Sequence, residues 1–134
     1  MKPTILDRSA AAARALCLTA AGLFLLGYAA IAVLRMGYPF ELEWMEGGVL
    51  DHVRLAASGR AIFAAPSLEF VSVLYPPLYY YAAALPAKIF GMELHSLRLL
   101  SFLSSLGCLA WIFAMVRRQT GARVPGLLAA GLYV

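Results

Sequence analysis

Twenty consecutive residues, 15–34, carry no charge and lie between Arg14 and Arg35. Coiled as a helix with a rise of 1.5 Å per residue, the run is about 30 Å long, one hydrocarbon thickness of a bilayer. Only a helix or a closed barrel satisfies its own backbone N–H and C=O groups in that environment. A first membrane-spanning helix over 15–34 is therefore expected. Residues 70–87 form a second uncharged run. It carries Pro76, Pro77 and Pro86, so its helix is expected to start near Pro77 and to be short or kinked. Residues 99–116, between Arg98 and Arg117, form a third run. Residues 124–134 are apolar for about half a span. That ending suggests a fourth helix cut short and the N-terminal part of a longer membrane protein.

Composition narrows the class further. The chain is 63% hydrophobic and 13% charged, against roughly half and a quarter in soluble domains. An ordinary cytosolic globule and a disordered chain are both excluded. Two cysteines cannot staple a disulfide scaffold or complete a structural zinc site. No asparagine is present, so N-glycosylation is excluded. The basic start and Ala30-Ile31-Ala32 resemble a cleavable signal. The apolar run exceeds the usual 7–15 residues of such signals, and the segment is kept as a helix.

Charge sets an expected topology. Lys2, Arg8 and Arg14 precede the first span, which places the N-terminus in the cytoplasm. On that basis the domain order is a cytoplasmic 1–14, helices over 15–34, 74–90 and 99–116, an external loop over 35–73, and a partial helix over 124–134. The scheme leaves a conflict. It puts Arg117, Arg118 and Arg123 outside, so that five basic residues lie inside and six outside. Failure of the second segment to cross is one way out.

The loop after the first span holds most of the information. It opens with Gly37-Tyr38-Pro39-Phe40 and continues through Glu41, Glu43, Glu46 and Asp51. Met45, Val49, Val53 and Ala56 recur at helical spacing, flanked by Trp44 and Leu50. An amphipathic helix lying on the membrane surface is expected over about 43–58, stopped by Gly59. Its carboxylates have two readings. One is a solvated polar face. The other is a general base, its pKa raised beside a low-dielectric boundary, or a holder of a divalent cation for a phosphate leaving group. The loop closes on Tyr75-Pro76-Pro77-Leu78-Tyr79-Tyr80-Tyr81. These tyrosines suit an interfacial aromatic belt, or one or two line a sugar or phosphate pocket.

The ordered series resembles a known family. Acids after the first span, a helix ending at Gly59, Tyr75-Pro76-Pro77-Leu78-Tyr79-Tyr80-Tyr81, Phe90-Gly91 and Leu97-Arg98-Leu99-Leu100-Ser101 follow one another as in membrane glycosyltransferases of the protein O-mannosyltransferase and aminoarabinose transferase type. That resemblance, spanning roughly residues 15–134, implies an all-α multi-span bundle with the GT-C fold and an interfacial helix in the first external loop. It implies transfer of a sugar from a polyprenyl-phosphate (or dolichyl-phosphate) carrier to an acceptor on the outer face. It also implies a multi-pass location in a bacterial inner or plasma membrane, with the remaining spans of the full-length protein completing the site. The family's acidic pair falls at Met45-Glu46. Glu46 matches its second acid, and Met45 departs from the first. Glu43 stands two residues earlier, so Glu46 and Glu43 together are the catalytic candidates. The 134-residue chain alone is expected to be inactive.

Weaker binding candidates are Asp51, Arg54, Arg60, Tyr75 and Tyr79. Asp51 sits three residues before Arg54, a spacing that suits a surface ion pair. Arg54 and Arg60 could meet a lipid phosphate or anchor to headgroups. Arg98 is expected to snorkel to the interface. His52 has no nearby His or Cys, so no metal site is expected. Cys17 and Cys108 read as inert packing residues within spans. Ala20-Ala21-Gly22 and Ala129-Ala130-Gly131 suit close helix packing. Membrane flanks account for the net charge of +4 without nucleic acid. The competing function is a non-catalytic small membrane bundle: a transporter subunit, scaffold or assembly factor.

Overall fold

Thr4 and Asp7 start the first helix reciprocally. The Thr4 N–H and hydroxyl donate to the Asp7 carboxylate at 2.9 and 2.7 Å, and the Asp7 N–H donates to Thr4 Oγ1 at 3.3 Å. This is the capping-box arrangement that satisfies the free N–H groups of a helix start. The computed structural model describes residues 4–63, 65–68, 70–71 and 75–134. The expected end of the loop at 69 and 72–73, the first residue of the second expected span at 74, and residues 1–3 lie outside the described residues. Five helices follow in order: α1 (Ile5–Met36), α2 (Glu46–Ala57), α3 (Leu78–Phe90), α4 (Leu94–Thr120) and α5 (Arg123–Tyr133). No strand occurs among the described residues. The chain is all-α.

α1 and α4 are long and apolar enough to cross a membrane. Their most apolar windows are 6% and 0% buried within the chain. The core helix of a soluble protein would be mostly buried, so these surfaces need another apolar partner. Cys17 and Cys108, read from sequence as packing residues, are both exposed on these two helices. Uniformly apolar helices carry no periodic signal to say which side is covered.

The chain divides into two compact units. The first holds 1–33 and 104–134. Within it the two small-residue runs meet: a Cβ added at Gly131 would overlap Ala21 Cβ and lie 2.9 Å from its Cα. Ala21 and Ala130 are buried there. The absence of side chains at this crossing is what lets the two backbones approach.

The second unit holds 34–103. Its core joins α2 to α3 through Val53, Ile62, Tyr80, Ala83, Ala84 and Ala87. Val53 is fully buried, a contribution of about 1.5–3 kcal/mol. α2 ends in a Schellman motif. The Arg60 N–H donates to the Leu55 carbonyl at 3.0 Å, and the Gly59 N–H to Ala56 at 3.2 Å. Gly59 adopts φ +72°, which a residue without Cβ reaches at no steric cost. α3 begins directly after Pro77, whose fixed φ suits a helix entry. A short turn after Phe90 leads into α4, where the Ser96 hydroxyl donates to the Gly91 carbonyl at 2.7 Å.

Candidate functional site

The polar centre of the second unit is Arg98, in the second turn of α4. All five of its N–H donors are engaged. Nε and one Nη2 hydrogen reach the two Glu46 carboxylate oxygens at 3.0 and 2.6 Å. Nη1 donates to the carbonyls of Arg35 and Tyr38 at 3.0 and 2.6 Å, and Nη2 also donates to Phe40 at 2.8 Å. The fork is planar and rigid, so it fixes the end of α1, the 37–45 segment and the start of α2 together. Only 11% of the Arg98 side chain and 21% of Glu46 remain exposed. Arg98 is therefore paired and largely covered within this unit. Its partner stands 52 residues earlier and is invisible to any local pattern.

Glu46 opens α2 and also accepts the Leu42 N–H at 2.7 Å. Its carboxyl is held below the ordinary Glu value of 4.5, chiefly by the Arg98 hydrogen bond, against the opposing push of burial. The sequence reading expected a carboxylate raised by the membrane boundary. At Glu46 the cation reverses the sign.

Glu43 lies beside it and is exposed. Its Oε2 accepts the Met45 N–H at 3.0 Å, and its carbonyl accepts the Glu46 N–H at 3.1 Å. Tyr75 reaches the same place, its hydroxyl 3.3 Å from the Met45 sulfur. Glu41 joins them unpredicted: a Cβ on Gly47 would overlap its Oε1 and lie 3.0 Å from its Cδ. Three carboxylates thus gather at the N-terminus of α2, where the helix dipole favours negative charge.

The weaker candidates separate from this cluster. Asp51 and Arg54 form the expected i,i+3 pair at 2.8 Å, each about half exposed. Arg54 also reaches the Met92 carbonyl at 3.4 Å. It lines an open cleft of about 390 Å³ with Tyr38, Leu50, Met92 and His95. Arg60 is exposed just beyond α2. The Tyr79 hydroxyl donates to the Leu97 carbonyl at 3.2 Å and meets Ser101 Oγ at 3.1 Å, tying α3 to α4.

His52 is fully buried rather than solvated. Its Nδ1 lies 2.7 Å from the Gly48 carbonyl, and its ring stacks on Tyr80 at 4.8 Å. The Tyr80 hydroxyl is buried without a partner among the described residues. No group of three or more His, Cys, Asp or Glu side chains among the described residues is placed to hold a metal ion.

Long apolar helices with uncovered faces define the class, a helical membrane protein. Residues 75–134, a little under half of the chain, match the family described as dolichyl-phosphate-mannose-protein mannosyltransferase. Over that stretch, from Tyr75-Pro76-Pro77 through α5, the chain is similar to that family. No curated protein and no solved structure matched it.

Proposed function

We propose that the chain is part of a membrane glycosyltransferase of GT-C type that moves a sugar from a polyprenyl-phosphate carrier to an acceptor at the outer face. The observation that carries the reading is the family match over residues 75–134. The geometry of the preceding loop supports it. Glu43 and Glu46 sit where the end of α1 meets the start of α4, the point at which a lipid-linked substrate would present its phosphate.

The two carboxylates then have different roles. Glu46 is an anchored anion. Committed to Arg98, it is a weak proton acceptor and instead fixes the first turn of α2. Glu43 is the accessible carboxylate, and it accepts the acceptor's proton. Tyr75 offers a phenol to the same space.

The test uses the protein in nanodiscs with a photoactivatable polyprenyl-phosphate-linked sugar. Crosslinks within 41–46 or at Tyr75, competed by unlabelled polyprenyl phosphate, are expected. Labelling spread along α1 and α4 and indifferent to that competitor overturns the reading.

A further inference from the structure

The first unit carries almost only one sign of charge. Its stretches 15–33, 104–116 and 124–134 hold no charged residue. The rest of its sequence supplies six cations, Lys2, Arg8, Arg14, Arg117, Arg118 and Arg123, and one acid, Asp7. The second unit, with five cations and six acids, offers no such surplus.

Contacts within the first unit set the register of its helices. A Cβ on Gly131 of α5 would overlap Ala21 of α1. A Cβ on Gly126 of α5 would come within 2.9 Å of the Phe113 ring and carbonyl of α4. Tyr28 of α1, Ser105 and Leu109 of α4 and Tyr133 of α5 line one hollow. α5 therefore runs alongside α1 and against α4. At 1.5 Å per residue, Arg14 lies about 10 Å from the Ala21–Gly131 crossing, Arg123 about 12 Å and Arg117 about 13 Å, all in one direction. Arg118 adjoins Arg117. Four guanidiniums from three packed helices thus share one layer. Arg8 stands about 9 Å beyond it.

The turn between α4 and α5 fixes three of the four. Only two residues separate the helices. The Gly121 N–H donates to the Arg117 carbonyl at 2.9 Å, with Gly121 at φ +68°. The Thr120 hydroxyl donates to the Val116 carbonyl at 2.8 Å and accepts the Ala122 N–H at 3.3 Å. Arg14, Arg117, Arg118 and Arg123 are all exposed. Among the described residues none of them pairs with an acid. Asp7 lies about 10 Å beyond Arg14 and accepts from Thr4 instead.

Like charges held in one layer repel, so the arrangement calls for an anion from outside the chain. A guanidinium binds phosphate through two parallel N–H bonds. On the apolar side of the layer, Leu16, Trp111, Met115 and Leu127 are exposed on α1, α4 and α5. The ligand that fits both halves has a phosphate at one end and hydrocarbon at the other. We propose that Arg14, Arg117, Arg118 and Arg123 form a binding site for the phosphate of an anionic phospholipid, whose acyl chains lie along those apolar side chains. The inference goes beyond the proposed activity and does not depend on it.

Native mass spectrometry of the protein released from micelles counts the bound lipid. Phosphatidylglycerol should bind saturably and in preference to phosphatidylcholine, whose choline offsets the phosphate charge. A basic residue near an anionic headgroup contributes about fivefold in affinity. Arg123→Gln should therefore weaken phosphatidylglycerol binding about fivefold, and Arg117→Gln with Arg118→Gln about 30-fold. Arg8→Gln removes the same charge as Arg123→Gln but outside the layer, and should cost less than twofold. Thermal midpoints of the variants, all at exposed positions, check that the fold is kept. Equal losses from Arg8→Gln and Arg123→Gln would reveal diffuse charge rather than a site and overturn the proposal. So would equal retention of the two lipids. Release of phosphatidylglycerol by millimolar inorganic phosphate would mean a site for free phosphate, and the lipid assignment would fail.

Discussion

Replacing Arg98 by methionine keeps the apolar stem and removes every hydrogen bond of the guanidinium. Three of the five go to carbonyls of exposed residues at and just beyond the end of α1, which water can satisfy afterwards. Those three contribute little net. The two to Glu46 matter more, because that carboxylate keeps only a fifth of its surface exposed. Stripping one partner from a fully buried ion pair costs about 3–5 kcal/mol. Partial exposure here lowers the expected cost to about 2–3 kcal/mol. Hydrogen exchange of the amides over 42–50, in the protein held in nanodiscs, reads the loss locally. Exchange should accelerate about 30- to 150-fold, at tenfold per 1.4 kcal/mol. Adding Glu46→Gln to Arg98→Met should recover part of the loss, because no uncompensated carboxylate remains. Acceleration of less than about threefold, under 1 kcal/mol, refutes the idea that this pair holds the loop to the helix ends.

Acid should act through the same pair. Glu46 titrates lower in the folded protein than in the unfolded chain, so its contribution is complete above the ordinary value of 4.5. It is lost as pH falls through the lower folded value. Thermal unfolding in detergent should show an Arg98-dependent loss below that value, absent in Arg98→Met, whereas stabilisation on acidification would contradict the assignment. Tyr80→Phe removes a buried hydroxyl that has no partner among the described residues, so the thermal midpoint should hold or rise, by up to about 1 kcal/mol in stability. A clear fall would reveal a bond that the structure lacks. Gly131→Val forces side-chain atoms onto the Ala21 backbone and should destabilise the α1–α5 crossing by about 1–3 kcal/mol. An unchanged midpoint would mean the two helices do not meet there.

Local features of this chain were legible in the sequence, and tertiary ones were not. The Gly59 stop, the entry of α3 after Pro77 and the Asp51–Arg54 pair each depend on residues within five positions of one another. The Arg98–Glu46 pair spans 52 residues. A lone arginine at the mouth of an apolar run has an ordinary explanation in snorkelling, and nothing local points to its acid. The net-negative loop was the available signal: five acids against three arginines over 35–69 call for a cation from elsewhere. The burial of His52 was illegible for a related reason. Helical periodicity marks Val49 and Val53 as a buried face, but burial of the histidine between them depends on Phe70 and Tyr80 arriving from outside α2. Uniform apolarity hid the two faces of α3 as well. Alanines and leucines score alike as hydrophobic, yet the alanines admit α2 and the large side chains remain outside.

In the proposed function Glu43 acts on a lipid-linked sugar while Glu46 is held by Arg98. The direct test of this reading compares the full-length protein with its Glu43→Gln variant for transfer of a labelled sugar from a polyprenyl-phosphate carrier in proteoliposomes. Loss of a general base lowers rates about 10²- to 10⁴-fold, and a fall of that size is predicted. Glu43 is exposed and, among the described residues, its carboxylate bonds to the Met45 N–H within its own turn, so the thermal midpoint should not move. Equal rates in the two proteins, with transfer intact, would contradict the account.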